Sequence, residues 1–263
     1  MDLQLTKKIA LVTGSTAGIG NAIATSLARE GASVIVSGRT PKTVAEAVVA
    51  MKNATGGEVV GFAGDLSSEA VAEKLALKHP HVDVLVNNLG IFEVKPFEQI
   101  TDADWQRFFE VNVLSGARLA RLYLPSMRLR KWGRIIFISS ESALQIPVEM
   151  VHYGMTKAAQ IAVARGLAEA TAGTGITVNS VLPGPTRSRG VGDFVADMAA
   201  KSGKSAKTVE DEFFKSARPT SLLKRFATTE EVAALVTFVA SPLSAATNGA
   251  ALRVDGGVVR SAY

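Results

Sequence analysis

Seven short apolar runs punctuate the chain, and stretches with helical spacing fill the gaps between them. The runs are Lys8–Val12, Ser33–Ser37, Glu58–Phe62, Val82–Val86, Arg134–Ser140, Thr177–Leu182 and Ala250–Val254. Continuous apolar runs of this length predict strands buried on both faces. Between them, Ala22, Ile23, Leu27 and Ala28 recur at helical spacing. Further helices are expected over 43–51, 70–77, from Asp102 to Pro125 as one helix or two, from Tyr153 to about Ala172, and over 230–240 behind Thr228 or Thr229 as cap. Strand alternating with helix predicts an α/β fold. Residues 187–226 break this rhythm and carry more charge, so they are expected to form a lid with helical parts on a single domain spanning 1–263, not a second domain. Asn112 falls inside a helical pattern, where asparagine is mildly unfavourable, which points to a buried polar task.

Composition adds limits. The 263 residues are 47% apolar and 20% charged, ordinary for a globular chain able to bury a large core. No apolar run approaches the length needed to span a bilayer, and the N-terminus makes a poor signal peptide. There is no cysteine, which excludes disulfides and thiolate chemistry and fits a reducing cytoplasm. The net charge of +5 is thickened at Arg118, Arg121, Arg128, Arg130, Lys131 and Arg134, but no nucleic-acid motif accompanies them, so a solvated helix face is expected. His79-Pro80-His81 lacks a third ligand nearby and reads as a turn, with no metal expected.

Chemistry concentrates at strand ends. The first strand runs into Thr13-Gly14-Ser15-Thr16-Ala17-Gly18-Ile19-Gly20 and then a helix. Glycines let backbone approach a pyrophosphate closely, and the helix N-terminus offers free N–H groups. The second strand ends in Gly38-Arg39 with no acid, and an arginine there can pair with a 2′-phosphate; NADP(H) is therefore favoured over NAD(H). Asp65-Leu66 ends the third strand, where Asp65 either meets an adenine or caps the next helix. Asn87-Asn88-Leu89-Gly90 ends the fourth, at the side of an open sheet where ligands bind. Ser140 closes the fifth, and thirteen residues on lies Tyr153, four before Lys157. On a helix these two share a face, and an ammonium beside a phenol favours the phenolate. A serine hydroxyl and a phenol converging on one oxygen make an acid/base site for a carbonyl or alcohol.

As an ordered set these motifs, with Asn112, Pro183-Gly184 and Asp255-Gly256-Gly257, resemble the classical short-chain dehydrogenase/reductase family over nearly the whole chain, in the manner of a 3-oxoacyl-[acyl-carrier-protein] reductase. The resemblance implies a Rossmann-type doubly wound sheet of seven parallel strands, a nicotinamide cofactor and a homotetramer or homodimer. It assigns Tyr153 as general acid or base, Lys157 to the nicotinamide ribose, Ser140 to the substrate oxygen, and Asn112 to a water linking Lys157 to solvent. Cofactor contacts are implied at Gly14, Ser15, Thr16, Gly18, Ile19, Gly20, Arg39, Asp65, Leu66, Asn88, Gly90, Tyr153, Lys157, Pro183, Gly184, Thr186 and Ser188. Three features depart from the pattern: Leu89 stands where alanine is usual, the segment between Asp65 and Asn87 is short enough to put its helix in doubt, and Ser15, Thr16 and Ala17 supply no basic residue. The substrate wall is expected from Leu144, Ile146, Pro147, Val148 and Met150, with Glu141 and Glu149 as polar points and Arg187, Arg189, Phe213 and Phe214 from the lid. Those arginines suggest a 3-oxoacyl thioester on a phosphate-bearing carrier, or merely lid salt bridges. The alternative is a catalytically silent NAD(P)-binding regulatory or scaffold protein.

Overall fold

A computed structural model describes residues 1–262, together with all their side chains except those of residues 189, 190, 193–195 and 197. Its centre is a seven-stranded sheet in the order β3-β2-β1-β4-β5-β6-β7, every pair parallel. The strands are β1 (Ile9–Val12), β2 (Ser33–Gly38), β3 (Val59–Ala63), β4 (Val84–Asn87), β5 (Gly133–Ile138), β6 (Ile176–Pro183) and β7 (Ala251–Val254).

Alternation along each strand sorts side chains to two cores. Ala10 and Val12 of β1, with Val34, Val84, Val86, Ile136 and Ile138, pack under α1 (Gly18–Arg29), α2 (Pro41–Thr55) and the last helix, Thr229–Ala240. Leu11, Ile35, Leu85, Ile135 and Phe137 point the other way, under α3 (Glu69–Lys78), the helix Ser115–Arg130 and the helix Val151–Ala170. Both faces of the sheet are thus covered, which is why its strands read as continuous apolar runs. The helix doubted after Asp65 is present as α3, with Ser68 as its N-cap residue. Asp65 does not cap it; its carboxylate instead accepts from the Ser67 N–H and hydroxyl, closing a tight turn before the helix.

The stretch after Asp102 is one continuous helical rod. α4 (Asp102–Phe109) passes through a single π-turn, Glu110–Leu114, into α5 (Ser115–Arg130). The π-turn holds Asn112, and such bulges often re-aim a side chain at a functional site. α6 (Val151–Ala170) follows β5. The lid segment folds as α7 (Arg189–Ser202) and α8 (Ala206–Ser216), followed by the return to α9 (Thr229–Ala240), whose Thr228–Glu231 capping box fixes its start. Among the described residues no helix is long and apolar enough to cross a membrane.

Of the basic residues of α5, Arg118 is half-buried and Arg121, Arg128 and Arg130 are exposed on a solvated face, each with a partner. Arg118 holds Glu110 and the Ser67 carbonyl, Arg121 holds Glu69, Arg128 the Ala170 carbonyl, and Arg130 the Val82 carbonyl and Asp83. Arg134 is buried at the start of β5 on the carbonyls of Gly133, Gly175 and Ser241.

Candidate active site

At the C-terminal edge of the sheet, between β1 and β4, the connections run to opposite sides, and the crevice left there is the ligand position of an open α/β sheet. The glycine turn sits at its floor. Gly14 and Gly18 have φ of +61° and +58°, a region costly for any side chain. A Cβ on Gly20 would lie 2.4 Å from Asn88 Nδ2 and 2.5 Å from the Gly14 carbonyl oxygen, so only glycine lets α1 start against the turn. Ser15 is structural: its buried hydroxyl donates to the Val12 carbonyl and accepts from Ser37 N–H. Thr16 lies against Gly38 at the end of β2, and Ile19 is half-buried behind the turn. Arg39 is exposed there, with no ion pair among the described residues.

Asn88 ties β4 to this turn. Its amide donates to the carbonyls of Thr13 and Gly14, while the backbone N–H groups of Asn88 and Leu89 both donate to the Thr13 hydroxyl. Leu66 is buried in the core, and exposed Asp65 lies beside it. Pro183 and Gly184 end β6, and a Cβ on Gly184 would strike the backbone of Asp255. Thr186 is buried on the Gly184 carbonyl, and Ser188 precedes α7 with its Cβ 3.4 Å from the Cβ position of Gly18. The lid therefore begins directly above the glycine turn. Gly90 is within 3.5 Å, by its Cβ position, of both Asn112 Oδ1 and Lys157 Nζ, which joins the two halves of the site.

Ser140, Tyr153, Lys157 and Asn112 converge from β5, α6 and the π-turn. Tyr153 shares a hydrogen bond with Ser140. Burial pushes its phenol above the ordinary value of 10 and Glu141 adds to this, while Ser140 and then Arg218 oppose it. The expectation that Lys157 draws the phenol down is not met in this state, since burial and a neighbouring carboxylate dominate. Lys157 Nζ lies 5.6 Å from the Tyr153 ring centre and donates to the Ile138 carbonyl at 2.9 Å and to Gln160 Oε1 at 3.2 Å. Burial lowers its pKa to about 8. Asn112 clamps the loop after β4: its amide donates to the Ile91 carbonyl and to Thr156, and its oxygen accepts from Ile91 N–H. Its backbone carbonyl accepts the Gln160 amide at 2.6 Å. The Gln160 side chain thus joins Lys157 to the Asn112 backbone. Gln160 went unnoticed in the sequence, although it lies three residues from Lys157 on the same helix face.

Two other expectations change. The carboxylate of Glu141 is not an open polar point in the wall but is buried, taking the Ser140 hydroxyl at 2.5 Å and Arg218 Nε at 3.0 Å. Phe213 and Phe214 do not line the substrate wall; with Phe226 and Val209 they form the lid's own small core. Arg187 is paired with Glu210, and the side chain of Arg189 lies outside the described residues. Of the residues expected in the apolar wall, Leu144, Ile146 and Val148 are exposed; Ile146 rests on Gly154, and Phe92 meets the Tyr153 ring edge-on at 6.5 Å.

His152, next to the tyrosine, is fully buried against Phe108 and Trp105, and neither ring nitrogen has a partner among the described residues. Burial lowers its pKa below 6.5, with Glu93 and Asp104 opposing and Lys95 and Arg107 assisting. The unfolded chain then takes up a proton that the folded chain refuses, so this contribution is complete above 6.5 and is lost as pH falls below it. The melting temperature is expected to drop from about pH 7.5 to about pH 5, and to drop less in His152→Phe. Equal drops in the two proteins would remove His152 as the cause.

A family model described as short chain dehydrogenase matches residues 8–206. An oxidoreductase of Bacillus subtilis described as uncharacterized, YvaG, is 48% identical, with 100% of each chain covered. A 3-oxoacyl-[acyl-carrier-protein] reductase of Aquifex aeolicus is 35% identical over 98% of this chain and 100% of its own. Among solved structures, the L-sorbose reductase of Gluconobacter frateurii, complexed with NADPH and L-sorbose, superposes with a TM-score of 0.93 at 31% identity, covering 99% of this chain and 100% of its own.

Proposed function

The chain belongs to the short chain dehydrogenase family and is an oxidoreductase acting on alcohol or carbonyl groups, and from that premise we propose that it reduces a ketone with NADPH, or oxidises the corresponding secondary alcohol with NADP. The observation that carries this reading is the convergence of Ser140, Tyr153, Lys157 and Asn112 beside the glycine turn. The turn fits a dinucleotide: the cradle at Gly20 has no room for a side chain, and Arg39 stands free at the β2 end for a 2′-phosphate. The bound cofactor would supply or accept the hydride. The protein's part is protonic. In reduction Tyr153, kept protonated by its buried setting, donates its proton to the carbonyl oxygen; in oxidation it must first lose that proton, with Lys157 and Arg218 the nearby positive charges. The complete acid/base set argues against a catalytically silent scaffold.

The substrate is proposed to be a ketone with an apolar flank, resting on Phe92, Leu144, Ile146 and Val148. A 3-oxoacyl thioester remains within this class through its acyl chain and the resemblance to the Aquifex aeolicus reductase. Its carrier has less support, because Arg187 and Arg218 are both paired to glutamates. A homotetramer is proposed from the shallow groove of Leu124, Val163 and Leu167 between α5 and α6, and a cytoplasmic setting from the absence of cysteine.

Fluorescence titration and turnover with both cofactors test the reading. NADPH is expected to bind more tightly than NADH. Arg39→Ala is expected to weaken NADPH about ten- to a hundredfold, as for loss of a charge-assisted hydrogen bond, and to leave NADH unchanged. A panel of acetoacetyl thioester, aryl ketone and L-sorbose then ranks substrates. Equal affinity for the two cofactors in the unaltered protein would overturn the role of Arg39, and no binding of either would overturn the enzyme.

A further inference from the structure

Ser140 has one O–H to give, and it gives it away from the crevice, to Glu141 Oε2 at 2.5 Å. The same carboxylate oxygen receives the Ser142 N–H at 2.9 Å and the Ser142 hydroxyl at 3.2 Å, and Oε1 receives Arg218 Nε at 3.0 Å. Both charged side chains are out of water, at 5% exposure for Glu141 and 10% for Arg218. Arg218 comes from 77 residues away, just past α8 at the base of the lid; it also donates to the Ala217 carbonyl and lies 3.6 Å from Glu149.

Pinning the lid is one use of this pair. An apolar pair of the same size would pin it without desolvating two charges. What an apolar pair cannot do is hold the serine proton. With that proton on Glu141, the lone pairs of Ser140 are left to accept, and one of them takes the Ser142 N–H at 3.1 Å.

We propose that Glu141 is a positioning residue of the catalytic site, fixing the orientation of the Ser140 hydroxyl beside Tyr153, and that Arg218 ties this arrangement to the lid. The proposal deepens, and rests on, the ketone reductase reading. It makes the charge state of the pair felt at the phenol. The charged groups around Tyr153 are Glu141 after β5, Arg218 after α8, Lys157 on its own helix, and Glu149 behind Arg218. Glu141 raises the phenol and Arg218 lowers it.

The test compares Glu141→Gln with Arg218→Met. In kcat/KM for ketone reduction, the basic limb, where the phenol loses its proton, is expected to move down by about one pH unit in Glu141→Gln and up by about one in Arg218→Met. Opposite shifts support the proposal; shifts of the same sign, or none, in active variants overturn it. Hydrogen exchange of the unliganded proteins reads the lid tie without turnover: residues 206–218 are expected to exchange faster in both variants, and unchanged exchange overturns the tie. If the single variants fail to fold, the double variant Glu141→Gln/Arg218→Met buries no unpaired charge. It is expected to fold, with kcat lowered about tenfold and the limb back near its original position. A double variant equal to the unaltered protein in kcat and KM would overturn the positioning role. Failure of the unaltered protein to reduce any ketone with NADPH is a different result, and overturns the function on which the proposal rests.

Discussion

Tyr153→Phe is expected to lower kcat and kcat/KM for ketone reduction by about 10²- to 10⁴-fold, the usual share of a positioned general acid. NADPH affinity should be largely kept, because the substitution removes one hydroxyl and leaves the ring against Phe92. The argument is one of geometry first. Tyr153 sits at the start of α6, hydrogen-bonded to Ser140, with Lys157 one turn on and held by the Ile138 carbonyl and Gln160. Burial and Glu141 both favour the protonated phenol, so near neutral pH the residue is an acid ready to donate. The sign of the pH dependence follows: reduction is supported below the phenol pKa and lost above it, while oxidation, which needs the phenolate, improves as pH rises. Steady-state kinetics in both directions, with NADPH fluorescence titration of the same preparations, check this. Full turnover in the phenylalanine variant would require another proton donor to the substrate oxygen, and the assignment would fall.

The parts of this site that were legible in the sequence are those carried by neighbours in the chain. Gly14, Gly18 and Gly20 follow a strand and open a helix, and Tyr153 and Lys157 share one helical turn; both relations are fixed by local geometry. The central strands were legible because they are buried on both faces and mostly apolar, and the edge strands β3 and β7, partly exposed, because short apolar runs still mark them. The π-turn at Glu110–Leu114 was not, since one extra residue in a helical turn barely changes an apolar pattern, although Asn112 marked the place. The role of Asp65 was open in the sequence because aspartate closes turns and starts helices by the same hydrogen bonds, and here it does the former. The pairing of Glu141 with Arg218 was out of reach, because it depends on how a lid without strand-helix rhythm folds back over β5. The lid phenylalanines fall in the wrong place for the same reason: a segment of charged and aromatic residues can turn its rings to substrate or to itself, and Phe213 and Phe214 of α8 pack against Phe226.

The glycine turn gives the second large effect. In a helix, alanine in place of glycine ordinarily stabilises by up to about 1 kcal/mol. Gly20→Ala is expected to do the reverse. Its Cβ would stand 2.4 Å from Asn88 Nδ2 and 2.5 Å from the Gly14 carbonyl oxygen. Neither can yield cheaply: the carbonyl is backbone, and the amide already donates to Thr13 and Gly14. Relief requires α1 to slide from the turn or Asn88 to leave it, and overpacking of this kind costs about 1–3 kcal/mol. Either movement spoils the seat on which the helix N-terminus would meet a pyrophosphate, so NADPH affinity is expected to fall about ten- to a hundredfold, and the melting temperature with it. Titration with NADPH and a thermal melt of the same variant measure the two effects, and circular dichroism separates a displaced turn from a lost fold. An alanine variant that folds, melts lower and still binds NADPH undiminished would mean that the cofactor does not sit on this turn. The crevice between β1 and β4 would then need another occupant, and the hydride another source.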